Sequence, residues 1–63
     1  MMGTAPDVAL TVSQVAKRLG LSSYTVRWML RSGEIEGFKI HNSRWRILES
    51  EVAAFIRRNT KGG

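Results

Sequence analysis

Two short amphipathic segments, separated by about three residues, constrain the fold of this chain more than any other feature. In the first segment, apolar residues recur at the spacing of one helix face: Val12, Val15, Ala16 and Leu19. In the second, the apolar stripe consists of Val26, Met29 and Leu30. Two helices joined by so short a connection are typical of a helix-turn-helix unit.

Both predicted helices carry residues that usually begin and end helices. Thr11 and Gln14 have the spacing of a capping box, which places the start of the first helix. Ser22 or Ser23 can cap the second helix, and Gly33 is predicted to end it in the left-handed conformation.

The exposed face of the second helix carries hydroxyls, cations and aromatic rings and no carboxylate. A helix that only covers a core more usually exposes Glu, Lys and Gln. A helix fits the major groove of B-DNA, and the residues near its N-terminus reach deepest. The predicted DNA-contacting residues of this helix are Ser22, Ser23, Tyr24, Thr25, Arg27, Trp28 and Arg31.

Different roles are expected within this set. The hydroxyl and aromatic side chains are candidates for base-edge or sugar contacts, and the two arginines for phosphates or a bidentate contact with guanine. Ser22, with the N–H groups of the first turn, can hold one more phosphate. Two alternatives stay open: Thr25 can serve packing or capping, and Trp28 can lie half-buried against Ile35, which is expected to pack on the core.

Period-two alternation on either side of a polar turn predicts a β-hairpin after the second helix. Phe38 and Ile40 are expected to share its inner face with Trp45 and Ile47, and Trp45 is assigned to the core. The other face and the tip are expected to form a wing on DNA. The predicted wing residues are Lys39, His41, Asn42, Ser43, Arg44 and Arg46.

Within the wing, the three cations are expected on the outer face. Arg44 at the tip is expected to enter a minor groove, and Lys39 and Arg46 are expected to contact the flanking DNA backbone. The default interpretation of His41 is an exposed turn residue, with a DNA contact as the alternative.

A third helix is predicted over about residues 49–59, with Val52, Phe55 and Ile56 facing the core. The predicted fold is mainly α with a small hairpin: a winged helix-turn-helix of three helices and a two-stranded antiparallel wing. The predicted division is a flexible leader over 1–9, this domain over 10–59 and a frayed tail over 60–63.

Charge is segregated along the chain, which has ten Lys and Arg against five Asp and Glu and a net charge of +5. No carboxylate occurs within 8–33 or within 37–48, although both stretches carry several cations. A solvated structural face would mix both signs, so this pattern favours a nucleic-acid surface. Composition alone leaves a ribosomal or membrane-associated protein open.

The chain has few residues that could serve in catalysis. With 63 residues, no Cys and one His, the chain offers neither disulfides nor a zinc site and cannot enclose an ordinary substrate pocket. It has no paired carboxylates at a plausible cleft and no glycine-rich phosphate loop. We expect that the protein is not an enzyme, that it has no catalytic residue and that it binds neither a metal nor a cofactor. No apolar run approaches the roughly 18 residues that span a bilayer, so a soluble cytoplasmic protein is expected.

Several segments carry a family resemblance: LTVSQVAKRLGLSSYTVRWMLRSGEI, FKI, RWRI and ESEVAAFIRR. Over nearly all of residues 10–58, the chain resembles the excisionase-like, MerR-type winged helix-turn-helix domains. Thr25-Val26-Arg27, Arg31 and Arg44 look like positions that phage excisionases use on DNA. Trp28 departs from the family, which often has a basic residue there.

The resemblance implies an architectural DNA-binding protein of bacterial site-specific recombination, acting at the nucleoid. Such a protein binds and bends double-stranded attachment-site DNA so that an integrase, a tyrosine or serine recombinase, performs excision, and it self-associates weakly and cooperatively on DNA. The dimerising coiled coil of MerR regulators is missing, which favours an excisionase. A small transcriptional repressor using the same surface is the alternative. A module whose basic face docks an acidic protein is a third hypothesis.

Overall fold

Three helices and three strands follow one another along the chain. Their order is β1 (Ala9–Thr11), α1 (Val12–Leu19), α2 (Ser23–Ser32), β2 (Phe38–Ile40), β3 (Arg44–Leu48) and α3 (Glu49–Asn59). A computed structural model describes residues 7–42 and 44–60 of the chain. The predicted class, three helices with a small antiparallel hairpin in a winged helix-turn-helix, is confirmed.

Short-range hydrogen bonds set the ends of α1 and α2. The Thr11 hydroxyl oxygen accepts from the backbone N–H of Gln14 at 3.1 Å, and the Gln14 side chain accepts from the Thr11 N–H at 2.9 Å, so the capping box is confirmed. Of the two candidate serines, Ser22 caps α2, accepting from the N–H of Thr25 at 3.1 Å. The glycine after each helix is left-handed, with φ of 71° and 84°.

The core is apolar and lies between the helix pair, the sheet and α3. It contains both predicted helix stripes except Leu19, which packs against it half-buried together with Trp45 and Phe55. Ile35 is 1% exposed, as predicted. The buried residues are Leu10, Val12, Val15, Ala16, Val26, Met29, Leu30, Ile35, Ile47 and Val52.

One predicted core residue of α3 lies outside the core. Val52 is buried and Phe55 is half-buried, but Ile56 is 46% exposed, so its prediction was wrong. On a helix wheel, Phe55 and Ile56 fall on opposite flanks of Val52. The helix leans on the core with the Phe55 flank, which turns Ile56 toward solvent.

The sheet has a third strand that the sequence interpretation did not include. β1 pairs with β3 on the side opposite β2, giving the antiparallel order β1-β3-β2. Leu10 of β1 lies opposite Ile47 of β3, and both are buried. Ala9, assigned to the flexible leader, is therefore a strand residue.

The residues just before β1 cap the third helix. The N-cap residue of α3, Leu48, has no polar side chain to offer. Instead, an Asp7 carboxylate oxygen accepts from the N–H of Ser50 at 3.0 Å, and its second oxygen accepts from the Ser50 hydroxyl. The Val8 carbonyl accepts from the N–H of Glu49 at 2.9 Å. Residues 7–9 thus differ from the predicted leader, while 1–6 and 61–63 lie outside the described residues.

The faces of the hairpin differ from the predicted ones along β2. Phe38 pairs with Arg46, Lys39 with Trp45, and Ile40 with the first residue of β3. Directly opposite residues share a face of the sheet, so Lys39 lies on the Trp45 side while Phe38 lies outside and is 45% exposed. The predicted inner face for Phe38 and Ile40 and the outer face for Lys39 were wrong.

Gly37 explains this register. One step along the ladder from Phe38, it lies against the buried Ile47. A Cβ at Gly37 would be 2.6 Å from Leu30 Cδ2, 2.8 Å from the Arg46 carbonyl oxygen and 3.2 Å from Ile47 Cγ1. Only a residue without a side chain fits there, which fixes every following residue of β2, since a one-residue slip exchanges the faces.

Candidate nucleic-acid interface

The exposed stripe of α2 carries two aromatic rings and two cations. Tyr24 is 76% exposed and Trp28 55%, and Arg27 and Arg31 are exposed beside them. Spaced at i, i+3, i+4 and i+7, these four side chains share one face, opposite the buried stripe. Together they line a shallow hollow of about 70 Å³. More than half of Trp28 is available for contact, and the remainder is covered by the protein.

A larger cleft separates this stripe from the sheet. It measures about 250 Å³ and is lined by Arg27 of α2, by Arg44, Trp45 and Arg46 of β3, and by residues 11–13 at the start of α1. Arg27 lines both the hollow and the cleft. The helix stripe and the arginines of β3 are therefore parts of one continuous surface, which we call the arginine surface: Tyr24, Arg27, Trp28, Arg31, Arg44 and Arg46.

The first turn of α2 uses its hydroxyls on itself. The Ser22 and Thr25 hydroxyl oxygens lie 3.0 Å apart, and the Ser22 hydroxyl also accepts from the Thr25 N–H. Thr25 is half-buried, and its hydroxyl lies against the Ser22 cap. Ser23 is half-buried next to the exposed Tyr24. These residues border the arginine surface at the start of the helix.

Two of the predicted wing cations, Lys39 and Arg46, lie against Trp45. The Arg46 guanidinium donates to the Trp45 carbonyl oxygen at 3.0 Å. The Lys39 ammonium lies 5.1 Å from the centroid of the Trp45 ring, on the opposite side of the sheet from Arg44 and Arg46. At the exposed tip, His41 and Asn42 have left-handed φ of 55° and 63°. Ser43 lies outside the described residues.

The ion pairs of the described residues lie outside the arginine surface. Arg18 pairs with Glu49 at 2.8 Å, and Arg58 pairs with Glu51 at 3.7 Å. Over residues 7–42 and 44–60, none of the cations of the arginine surface forms an ion pair. Its positive charge is thus available to an anionic partner.

Metal-ligating side chains are not gathered in the part of the chain that is described. No group of three or more His, Cys, Asp or Glu there is placed to hold a metal ion. No polar or charged side chain within it is buried. The described helices also include none that is long and apolar enough to cross a membrane.

The sequence interpretation missed one side of the cleft. Thr11 and Ser13 line it at the first turn of α1, facing the arginines of α2 and β3. The capping box marked Thr11 as the start of a helix, but nothing in the local pattern indicated that this start lies beside β3. That placement follows from the pairing of β1 with β3.

Comparison with known families agrees with this architecture. A family model described as a helix-turn-helix domain matches residues 9–60. The chain belongs to this helix-turn-helix domain family. A comparison with curated proteins finds no significant match, and neither does a comparison with solved structures. Membership supports DNA binding, and proteins of this kind are typically not enzymes.

Proposed function

We propose that this protein binds double-stranded DNA sequence-specifically through the arginine surface. The observation that carries the proposal is the position of Arg27, which joins the exposed stripe of α2 to the arginines of β3. A recognition helix in the major groove and a hairpin on the neighbouring backbone or minor groove would both contact one duplex. The absence of ion pairs on this surface within the described residues supports an anionic partner.

The proposed contacts follow from exposure. Tyr24 and Trp28 face base edges, while Arg27 and Arg31 bind phosphates or a guanine. In the wing, Arg44 and Arg46 contact the backbone or the minor groove, with Lys39, His41 and Asn42 at the margin. Ser22, Ser23 and Thr25 position the first turn of α2, whose N–H groups, together with a hydroxyl left free by the Ser22–Thr25 contact, can hold a nearby phosphate.

We further propose that the protein is an excisionase-like architectural factor of bacterial recombination, acting on DNA in the cytoplasm. The resemblance of residues 10–58 to excisionase-like domains supports this role, as does the observed order of helices and strands. It would bend attachment-site DNA, self-associate weakly on it and assist an integrase. A repressor would use the same surface without a need for bending.

The salt dependence of binding tests the DNA proposal. Duplexes are first selected from a random-sequence pool, and affinity is then measured across salt concentrations. Neutralising about five phosphates gives a slope of log affinity against log salt of about −4.5, and Arg44→Ala is expected to make it shallower by about one unit. Arg57→Ala, an exposed arginine in the last turn of α3, is the matched control and should leave the slope unchanged.

Several outcomes would contradict the proposal. A slope near zero on selected duplexes excludes phosphate neutralisation, and equal effects of Arg44→Ala and Arg57→Ala exclude the arginine surface. Binding to heparin as tight as to duplex DNA, without sequence preference, would favour an acidic protein partner. On the same selected duplexes, circularly permuted fragments report bending, and an unbent complex would favour the repressor over the architectural role.

A further inference from the structure

The two exposed aromatic rings of α2 serve no purpose in the interior. The core below the helix is filled by Val26, Met29 and Leu30, whereas Tyr24 and Trp28 lie on the opposite side, more than half exposed. Large exposed apolar groups that a fold does not need mark a contact surface. Tyr24 and Trp28, one helical turn apart, are called here the aromatic pair.

The surroundings of the aromatic pair restrict what it can contact. Arg27 and Arg31 complete the wall of the same hollow, so the apolar surface is bordered by positive charge. The hollow measures about 70 Å³. That is far below the roughly 300 Å³ at which small-molecule pockets begin, so the hollow admits a small apolar group rather than a whole small molecule.

We propose that the aromatic pair contacts the 5-methyl group of thymine in the major groove. This inference rests on the proposed function and names the base feature that α2 recognises. Thymine is the one standard base that displays a methyl group in that groove, where apolar side chains contact it. The bordering arginines would meet the phosphates on either side, so one stripe combines an apolar base contact with backbone contacts.

Removing only the methyl group tests the inference. Selected duplexes are resynthesised with deoxyuridine replacing one thymidine at a time, which keeps every hydrogen bond of the base pair. Burial of one methyl-sized group corresponds to about a fourfold change in affinity. We expect one or two adjacent positions at which the wild type loses about fourfold each. At those positions Trp28→Ala should lose less than twofold.

Two control variants separate the rings from other effects. Tyr24→Phe keeps the ring and loses the hydroxyl, so it should retain the loss caused by deoxyuridine. Ile56→Ala removes a comparably exposed apolar side chain from α3 and should also behave as the wild type. Circular dichroism melting verifies that Trp28→Ala is folded, as its exposed position leads us to expect.

A second experiment tests the same contact by adding a 5-methyl group to cytosine. At the sensitive position, a T·A pair is replaced by C·G with and without a 5-methyl group on the cytosine. The methylated duplex should bind the wild type about fourfold tighter than the unmethylated one. Trp28→Ala should not distinguish the two.

The outcomes separate this inference from the function on which it rests. If wild-type protein selects duplexes but tolerates deoxyuridine at every position, the thymine contact is overturned and DNA binding stands. If Trp28→Ala keeps the full deoxyuridine effect, the contact belongs to other residues and the assignment to the aromatic pair is overturned. If no duplex is selected at all, the proposed function fails and the inference fails with it.

Discussion

The helix pair and the remainder of the domain are held together in different ways. The ends of α1 and α2 are satisfied by residues within six positions in sequence, through the capping box, the Ser22 cap and two left-handed glycines. The third helix receives its N-terminal hydrogen bonds from Asp7 and Val8, which lie more than 40 residues earlier. The register of β2 likewise depends on Leu30 and Ile47.

This contrast separates two kinds of structural information. A local cap needs no residue outside the short segment that carries it. A remote cap or a packed glycine acts only when distant parts of the chain have already met. The proposed DNA surface spans both kinds, since α2 is locally defined whereas the arginines of β3 are placed by the register of the sheet.

The largest expected effect distinguishes a closely packed glycine, Gly37, from a left-handed glycine in open space, Gly33. Gly37→Asn should destabilise the domain by about 2 kcal/mol, because any Cβ there overlaps the Arg46 carbonyl oxygen and the Leu30 side chain. Gly33→Asn should cost less than about 1 kcal/mol, because Gly33 has open space around it and Asn tolerates its left-handed backbone. Urea denaturation of both variants gives the comparison. Equal losses would contradict the packing role of Gly37.

A smaller effect compares the two helix caps. Ser22→Ala and Asp7→Ala should each lower the free energy of unfolding by about 1 kcal/mol, since each leaves helix N–H groups without an acceptor. Hydrogen exchange distinguishes them: Ser22→Ala should raise exchange at the start of α2, and Asp7→Ala at the start of α3. If Asp7→Ala leaves exchange at Ser50 unchanged, the remote cap contributes nothing in solution.

The smallest expected effect concerns the ion pair that joins the two regions. Arg18 of α1 and Glu49 of α3 are both partly exposed, so their coupling should be no more than about 0.5 kcal/mol and should decline with salt. A double-mutant cycle with Arg18→Ala and Glu49→Ala, followed by denaturation, measures it. A coupling of several kcal/mol would mean that this pair, rather than the shared apolar core, docks α3.

The parts of the fold that the sequence predicted are those with local signals. Thr11, Gln14 and Ser22 occupy cap positions by residue type and spacing, and the apolar period identified the buried faces of α1 and α2. The hairpin was predicted, but its register was not. Alternation is equally compatible with two registers one residue apart, and Gly37 excludes one of them only once Leu30 has been brought against it.

The same distinction holds for the candidate site. The exposed stripe of α2 follows from the helix period, and the structure adds the cleft that joins Arg27 to Arg44 and Arg46. Asp7 was assigned to a leader because the residues around it show no periodicity. Nothing in the sequence near its partner, Ser50, indicates that the start of α3 takes its cap from a distant residue. Whether these surface residues bind DNA stays a prediction for the experiments above.

The pairing of β1 with β3 dictates the order in which this domain can be completed. Ala9 lies opposite Leu48, so the strand closes a segment that contains both other strands and the whole helix pair. Closing so long a segment costs chain entropy that local turns do not. During synthesis, α1 and α2 can form as they leave the ribosome, while the N-terminal strand must wait for β3 to emerge. The first residues of the domain to be made are thus among the last to find their place.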